Sequence, residues 1–197
     1  MKLTDKQKTE LILQCLVKHF STWGRERSNI IFPELRLGSG YCGVAQRRID
    51  LFIINSAAGN ETTAFEIKVS RNDFKHDLDN DLKQRGARLY ANKFIYVTPK
   101  GLVKPDEVPI WAGLWEIDLN SDYAIECCNF REAVPTPLHS KAMPSWGLIC
   151  SIIRKINKDK LITDVICEKD AEIAKLKERI NSLERKLTEK YFKPITQ

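Results

Sequence analysis

Phe65-Glu66-Ile67-Lys68-Val69 is the stretch whose reading decides the fold, because it alternates strictly between apolar and ionisable residues. Successive strand side chains point to opposite faces, so Phe65, Ile67 and Val69 pack one way while Glu66 and Lys68 stand together on the other, about 7 Å apart. Upstream, Arg48-Ile49-Asp50-Leu51-Phe52-Ile53-Ile54 is apolar on both faces after its first positions, the pattern of a central strand. The midpoint of residues 50 and 66 is Ala58, the centre of Ser56-Ala57-Ala58-Gly59-Asn60, which suits a hairpin loop. Closure there sets Asp50 directly opposite Glu66, with Cβ atoms about 5 Å apart.

Two like charges so placed repel unless a cation compensates. Two carboxylates and one backbone carbonyl, that of Ile67, make an all-oxygen ligand set that suits Mg²⁺ or Mn²⁺ with its remaining waters. A metal held by Asp50, Glu66 and Ile67 would polarise a phosphodiester and acidify a bound water. Lys68, on the same face, would hold or deprotonate that water and offset charge developing on the phosphate. The competing reading is a cross-strand ion-pair cluster, since the same register lets Asp50 meet Lys68 and Arg48 meet Glu66 on the diagonals. An apolar central strand is an expensive place for purely structural charges, which favours the chemical reading.

Outward from this hairpin, Leu11, Ile12, Cys15, Leu16, His19 and Phe20 recur at helical spacing and predict a first helix over residues 4–20. Strands are expected at 30–37, 48–55 and 62–69, where β-branched and aromatic residues lie between Gly, Ser and Asn clusters. Ser70 and Asp73 resemble a capping box, and Phe74, Leu78, Leu82 and Leu89 continue as one helix. Further strands are expected at 94–98, 111–119 and 123–128, giving the order α-β-β-β-α-β-β-β, then a surface connection over 129–142 that contains Pro135 and Pro137. A helix carrying Trp146, Ile149, Cys150 and Ile153 follows.

Asp50, then Glu66-Ile67-Lys68 on the next strand, then a helix, resembles the PD-(D/E)xK nuclease superfamily. More narrowly, Glu66-Ile67-Lys68-Val69-Ser70-Arg71-Asn72-Asp73-Phe74, followed by Phe94-Ile95-Tyr96-Val97-Thr98-Pro99, resembles the MmcB-type DNA-repair branch, over residues 30–118. The resemblance implies an α/β fold with a mixed sheet: a restriction-endonuclease-like core, α-β-β-β-α-β. It implies a Mg²⁺-dependent nuclease, most naturally an endonuclease, acting on DNA. It also implies Asp50 and Glu66 as metal ligands and Lys68 as the catalytic lysine. Glu34, in Phe32-Pro33-Glu34-Leu35, is the candidate for the upstream acidic position, with Glu10 and Glu26 competing for it. Ile49 stands where the superfamily's pattern has proline. Some members carry Q-x-x-x-Y on the following helix, but Gln84 lies six residues from Tyr90, so a solvated polar residue is the expectation. Ser70 and Asp73 are expected to cap the helix. Lys83, Arg85, Arg88 and Lys93 are the candidate phosphate contacts, adding sequence-independent affinity.

Composition agrees with an ordinary globular chain: 43% apolar residues suffice for a core, and the net charge of +6 favours a polyanionic partner without dictating one. The six cysteines show no C-x-x-C pair and no zinc spacing with the three histidines, so they read as reduced thiols. His19 is expected to be partly core. No apolar run suggests a signal peptide or a membrane span, which makes a cytoplasmic or nucleoid-associated protein with no membrane partner the expectation. The expected division is a nuclease-like domain over 1–157 and a helical tail over 158–197. In the tail, Ile166, Ile173, Ile180 and Leu187 at a, with Ile162, Leu176 and Leu183 at d, predict a parallel homodimeric coiled coil. Lys169 is the one charged residue at a d position.

Overall fold

The computed structural model describes residues 3–22, 28–37 and 47–191. The candidate Glu26 lies outside the described residues. The chain divides into two compact units, 1–152 and 153–197.

The first unit is a mixed α/β fold around a six-stranded sheet in the order β1-β2-β3-β4-β5-β6. Helix α1 (Asp5–Thr22) is followed by β1 (Asn29–Leu37), β2 (Arg47–Asn55) and β3 (Glu61–Ile67), an antiparallel meander. The short helices α2 (Arg71–Leu78) and α3 (Asp81–Tyr90) cross over to β4 (Lys93–Pro99), which runs parallel to β3. Strand β5 (Gly113–Ile117) is parallel to β4, and β6 (Arg131–Val134) closes the sheet antiparallel to β5, with α4 (Asp122–Glu126) between them.

Local chemistry accounts for these elements. Thr4 and Gln7 form a reciprocal capping box that opens α1, the Gln7 N–H donating to Thr4 Oγ1 and the Thr4 N–H to Gln7 Oε1. The Ser70 hydroxyl accepts the Asp73 N–H and caps α2. In the β2–β3 turn Asn55 Oδ1 accepts the N–H groups of Ala57 and Ala58, and Gly59 takes the left-handed φ of 63° that the turn requires.

The sheet separates two cores. Leu51, Ile53, Phe65, Ile67, Ile95, Val97 and Ile117 pack with Ile12, Cys15 and Leu16 of α1. On the other face Phe52, Ala64, Phe94, Tyr96 and Leu114 pack with Phe74 of α2 and Ala87 of α3. Alternation breaks at one place: Phe32 and Leu35, three apart on β1, join the same core, as do Ile49 and Phe52 on β2. Glu34, at the left-handed φ of 53°, marks the break.

Three expectations change. The single helix after β3 is two, separated at Asp79 and Asn80. Residues 123–128 are not a strand: α4 occupies most of the segment, and Ile125 and Cys128, at helical spacing, face the α1 core. A short apolar run reads equally as either element, and packing against α1 selects the helix. The expected connection at 129–142 contains β6, an edge strand ended by Pro135, which has no N–H to extend the ladder.

Helix α5 (Trp146–Tyr191) begins in the first unit, where Leu148 is buried in the α2/α3-side core. Within the second unit it is continuous, and Ile166, Ile173, Leu176, Ile180 and Leu183 of the heptad pattern are all exposed. The side chains of Ile162 and Leu187 lie outside the description.

Candidate functional site

The β2–β3 hairpin closes in the register that centres on Ala58: Leu51 pairs with Phe65 and Ile54 with Thr62, and Asp50 and Glu66 are the next positions beyond the last pair. Glu66 in turn pairs with Tyr96 of β4. On the other side Pro33 pairs with Leu51 and Leu35 with Ile49, which brackets Glu34 and Asp50 at the break in β1. By register Glu34, Asp50, Glu66 and Tyr96 fall in one row across four strands, with Glu66 and Tyr96 a direct pair.

The carboxylates of that row differ in what they touch. Asp50 Oδ2 accepts the backbone N–H of Ile67 at 2.8 Å, a diagonal bond across the hairpin. Glu66, 6% exposed, pairs with the Lys68 ammonium through Oε1 at 3.2 Å. Glu34 is exposed and pairs with Arg48 at 3.1 Å. The repulsion expected between Asp50 and Glu66 is therefore relieved from within the chain, by an amide and by an ammonium. The ion-pair alternative also has other partners than the register suggested, since Arg48 holds Glu34 and not Glu66.

Lys68 is the centre of the site. Its backbone N–H donates to the Val97 carbonyl at 2.9 Å, which continues the β3–β4 pairing past the end of the strand. Its Nζ lies 3.2 Å from Glu66 Oε1, 3.3 Å from Asp77 Oδ1 and 3.5 Å from Asp73 Oδ2. The side chain is 5% exposed; that of Asp77 is fully covered, and that of Asp73 is half open. Burial by itself pulls an ammonium's pKa down, but the carboxylates of Glu66, Asp77 and Asp73 and the hydrogen bond to Glu66 outweigh it, and the group is raised above its ordinary 10.5. Lys68 is a fixed cation.

Asp77 and its partners were not anticipated. The Asp77 Oδ2 accepts the Tyr96 hydroxyl at 3.2 Å and the side-chain amide of Gln84. Gln84, expected in solvent, is 1% exposed, a correction that follows from the break between α2 and α3. The signal for Asp77 was present: it lies three residues after Phe74 on the apolar stripe of α2, where a charged side chain is buried unless the helix turns away.

The donor set fits a hard divalent cation. Asp50 and Glu66 lie on adjacent strands next to the last paired residues Leu51 and Phe65, and Ile67 follows, so one hairpin carries two carboxylates and one backbone carbonyl. Among the described residues no group of three or more His, Cys, Asp or Glu side chains could hold a metal ion. A site of two carboxylates and a carbonyl leaves most of the coordination sphere to water, as Mg²⁺ prefers.

The basic candidates fall apart into different environments. Arg85 is exposed on α3. The Arg88 guanidinium lies 4.0 Å over the Trp111 ring, a cation–π stack, and Lys93 pairs with Glu61 at 2.8 Å. Lys83 lies on α3 with its side chain outside the description. The described cysteines Cys15, Cys127, Cys128 and Cys150 are free thiols. His19 is half-buried, with Nδ1 3.2 Å from the Cys128 carbonyl oxygen. No helix among the described residues is long and apolar enough to cross a membrane.

No protein-family model matches the chain, and no curated protein matches it. A solved structure, a protein of unknown function from Silicibacter pomeroyi, is similar with a TM-score of 0.50 and 16% identity, over 78% of this chain and 88% of that one. At that identity the likeness concerns the fold alone.

Proposed function

We propose that this chain is a metal-dependent nuclease that hydrolyses DNA phosphodiester bonds on a restriction-endonuclease-like core of the PD-(D/E)xK kind. The observation that carries the reading is the Lys68 ammonium, buried beside Glu66 and one strand from Asp50, with all three on one hairpin. A buried cation next to hard oxygen donors is costly as structure and useful as chemistry. Asp50, Glu66 and the Ile67 carbonyl would hold Mg²⁺ or Mn²⁺. When bound, the metal supplies Lewis acidity and a water of lowered pKa.

Hydrolysis adds water across a P–O bond, and negative charge grows on the phosphoryl oxygens and on the leaving oxygen. Lys68, kept protonated by its carboxylates, serves that charge as a donor and counter-charge. Its place beside Glu66 would let it orient the attacking water. The net charge of +6, with Arg85 and Arg88 on α3, gives the sequence-independent part of DNA affinity. The exposed heptad residues of α5 would pair two copies in a parallel coiled coil, bringing two active sites together as a double-strand cut needs. A cytoplasmic place beside the chromosome, in repair, recombination or defence, follows from this reading.

A second reading has an observation in its favour. Glu66 is tied to Lys68, and the same network without turnover would make a nucleic-acid-binding or scaffolding module on a nuclease fold. Purified protein incubated with plasmid, linear and single-stranded DNA, with and without Mg²⁺ or Mn²⁺, separates the two. Metal-dependent cleavage supports the enzyme. Binding without cleavage under every condition supports the scaffold.

A further inference from the structure

We infer that Asp77 is the positioning residue of this site: it anchors the Lys68 ammonium at the hairpin. The inference rests on the nuclease reading for its consequence in catalysis, but the anchoring itself does not.

Lysine carries its charge on a flexible four-carbon stem, so a productive position must be imposed by partners. Among the described residues three carboxylates lie within reach, and they are not equivalent. Asp73 is half exposed, so its attraction is screened by water. Glu66 is buried but belongs to the metal-binding pair, and a carboxylate that turns to a metal loosens its hold on the ammonium. Asp77 is buried and has no place in the hairpin's ligand set.

The two oxygens of Asp77 divide the work. Oδ1 faces Lys68 Nζ at 3.3 Å. Oδ2 is held by the Tyr96 hydroxyl at 3.2 Å and by the Gln84 amide. Those donors come from β4 and α3, so Asp77 itself is fixed from two further elements and cannot follow the lysine's motion. Four polar side chains from β4, α2, α3 and the end of β3 are thereby committed to one point in the α2/α3-side core. The fold could fill that point with apolar side chains at no loss, often at a gain. A ligand role for Asp77 fits less well, because one of its oxygens already receives two donors and the other meets an ammonium.

The test uses the full chain labelled with ¹⁵N-lysine and reads the Lys68 side-chain ammonium by NMR, the resonance being assigned by its absence in Lys68→Met. A buried, hydrogen-bonded ammonium exchanges slowly enough to be seen. The expected result is a visible Lys68 signal in the wild type and in Asp73→Asn, and its loss in Asp77→Asn. Tyr96→Phe, which leaves both charges and removes one support of Asp77, should broaden the signal and keeps the test open if Asp77→Asn does not fold. In the cleavage assay Asp77→Asn should lower kcat by roughly 10- to 100-fold, the usual range for a supporting residue, with KM for DNA nearly unchanged. A wild type with no protected Lys68 signal, a signal that survives in Asp77→Asn, or equal loss in Asp73→Asn and Asp77→Asn would each overturn the assignment. A wild type that never cleaves DNA removes the nuclease reading and leaves the ammonium signal to decide the anchoring.

Discussion

Lys68 sits where a leucine would cost the fold less, and under the proposed function the charge it brings would change how the hairpin holds a metal. Because its ammonium already neutralises Glu66, an incoming Mg²⁺ competes with an internal cation. Mg²⁺ or Mn²⁺ should still raise the melting temperature by linkage, but at millimolar metal by only a few degrees, since about 1 kcal/mol moves a chain of this size roughly 2–4 °C. Asp50→Asn should reduce that rise, and a variant with the full wild-type shift would remove Asp50 from the ligand set.

His19 supplies a pH test away from the site. Burial lowers its pKa below the usual 6.5, more than the hydrogen bond to the Cys128 carbonyl raises it. The unfolded chain therefore binds a proton at pH values where the folded chain refuses one. The resulting stability is fully present above 6.5 and is lost as pH falls toward the folded-state pKa. His19→Phe, which keeps an aromatic ring among Phe20, Trp115 and Phe130, should lose less melting temperature between about pH 7 and pH 5 than the wild type. Parallel melting curves for the two proteins would contradict this.

At the scale of elements, the hairpin was legible because its register depends only on the turn, and Ala58 lies midway between Asp50 and Glu66. The Lys68 network was not. In one continuous helix Asp77 and Gln84 would stand about 10 Å apart along the axis, too far to bond, and only the break at Asp79 and Asn80 brings them together. That break carries no proline or glycine to announce it. Helix α4 was misread because Ile125 and Cys128 owe their place to α1, which no local pattern contains. The edge of the sheet has its own constraint: a Cβ on Gly113 of β5 would lie 2.0 Å from Thr136 Oγ1 and 3.0 Å from its Cα. Gly113→Ala should therefore destabilise the protein by about 1–3 kcal/mol in urea unfolding, the range for overpacking. An unchanged midpoint would mean that the segment after β6 moves aside freely.

For the whole molecule, the division at 152/153 leaves a helix whose heptad residues are exposed, from Ile166 through Leu183. In the proposed parallel pair this exposed apolar seam would be covered by a second copy, and Glu172 would face Lys177 and Arg179 would face Glu184. Lys169, the charged residue in the seam, pairs with Glu172 at 2.7 Å and so turns part of that flank inward on its own helix. Sedimentation should show a dimer for the full chain at tens of micromolar and a monomer for a chain ending near Lys160. A monomeric full chain, or an equally dimeric truncation, would refute the tail's role.

The central claim is that one hairpin carries the chemistry. The direct measurement is Mg²⁺-dependent cleavage of DNA by the wild type, Glu66→Ala and Lys68→Ala, each first shown to be folded and to bind DNA. The account predicts cleavage by the wild type and none by either variant, with DNA binding retained. Cleavage at the wild-type rate by either folded variant would contradict it.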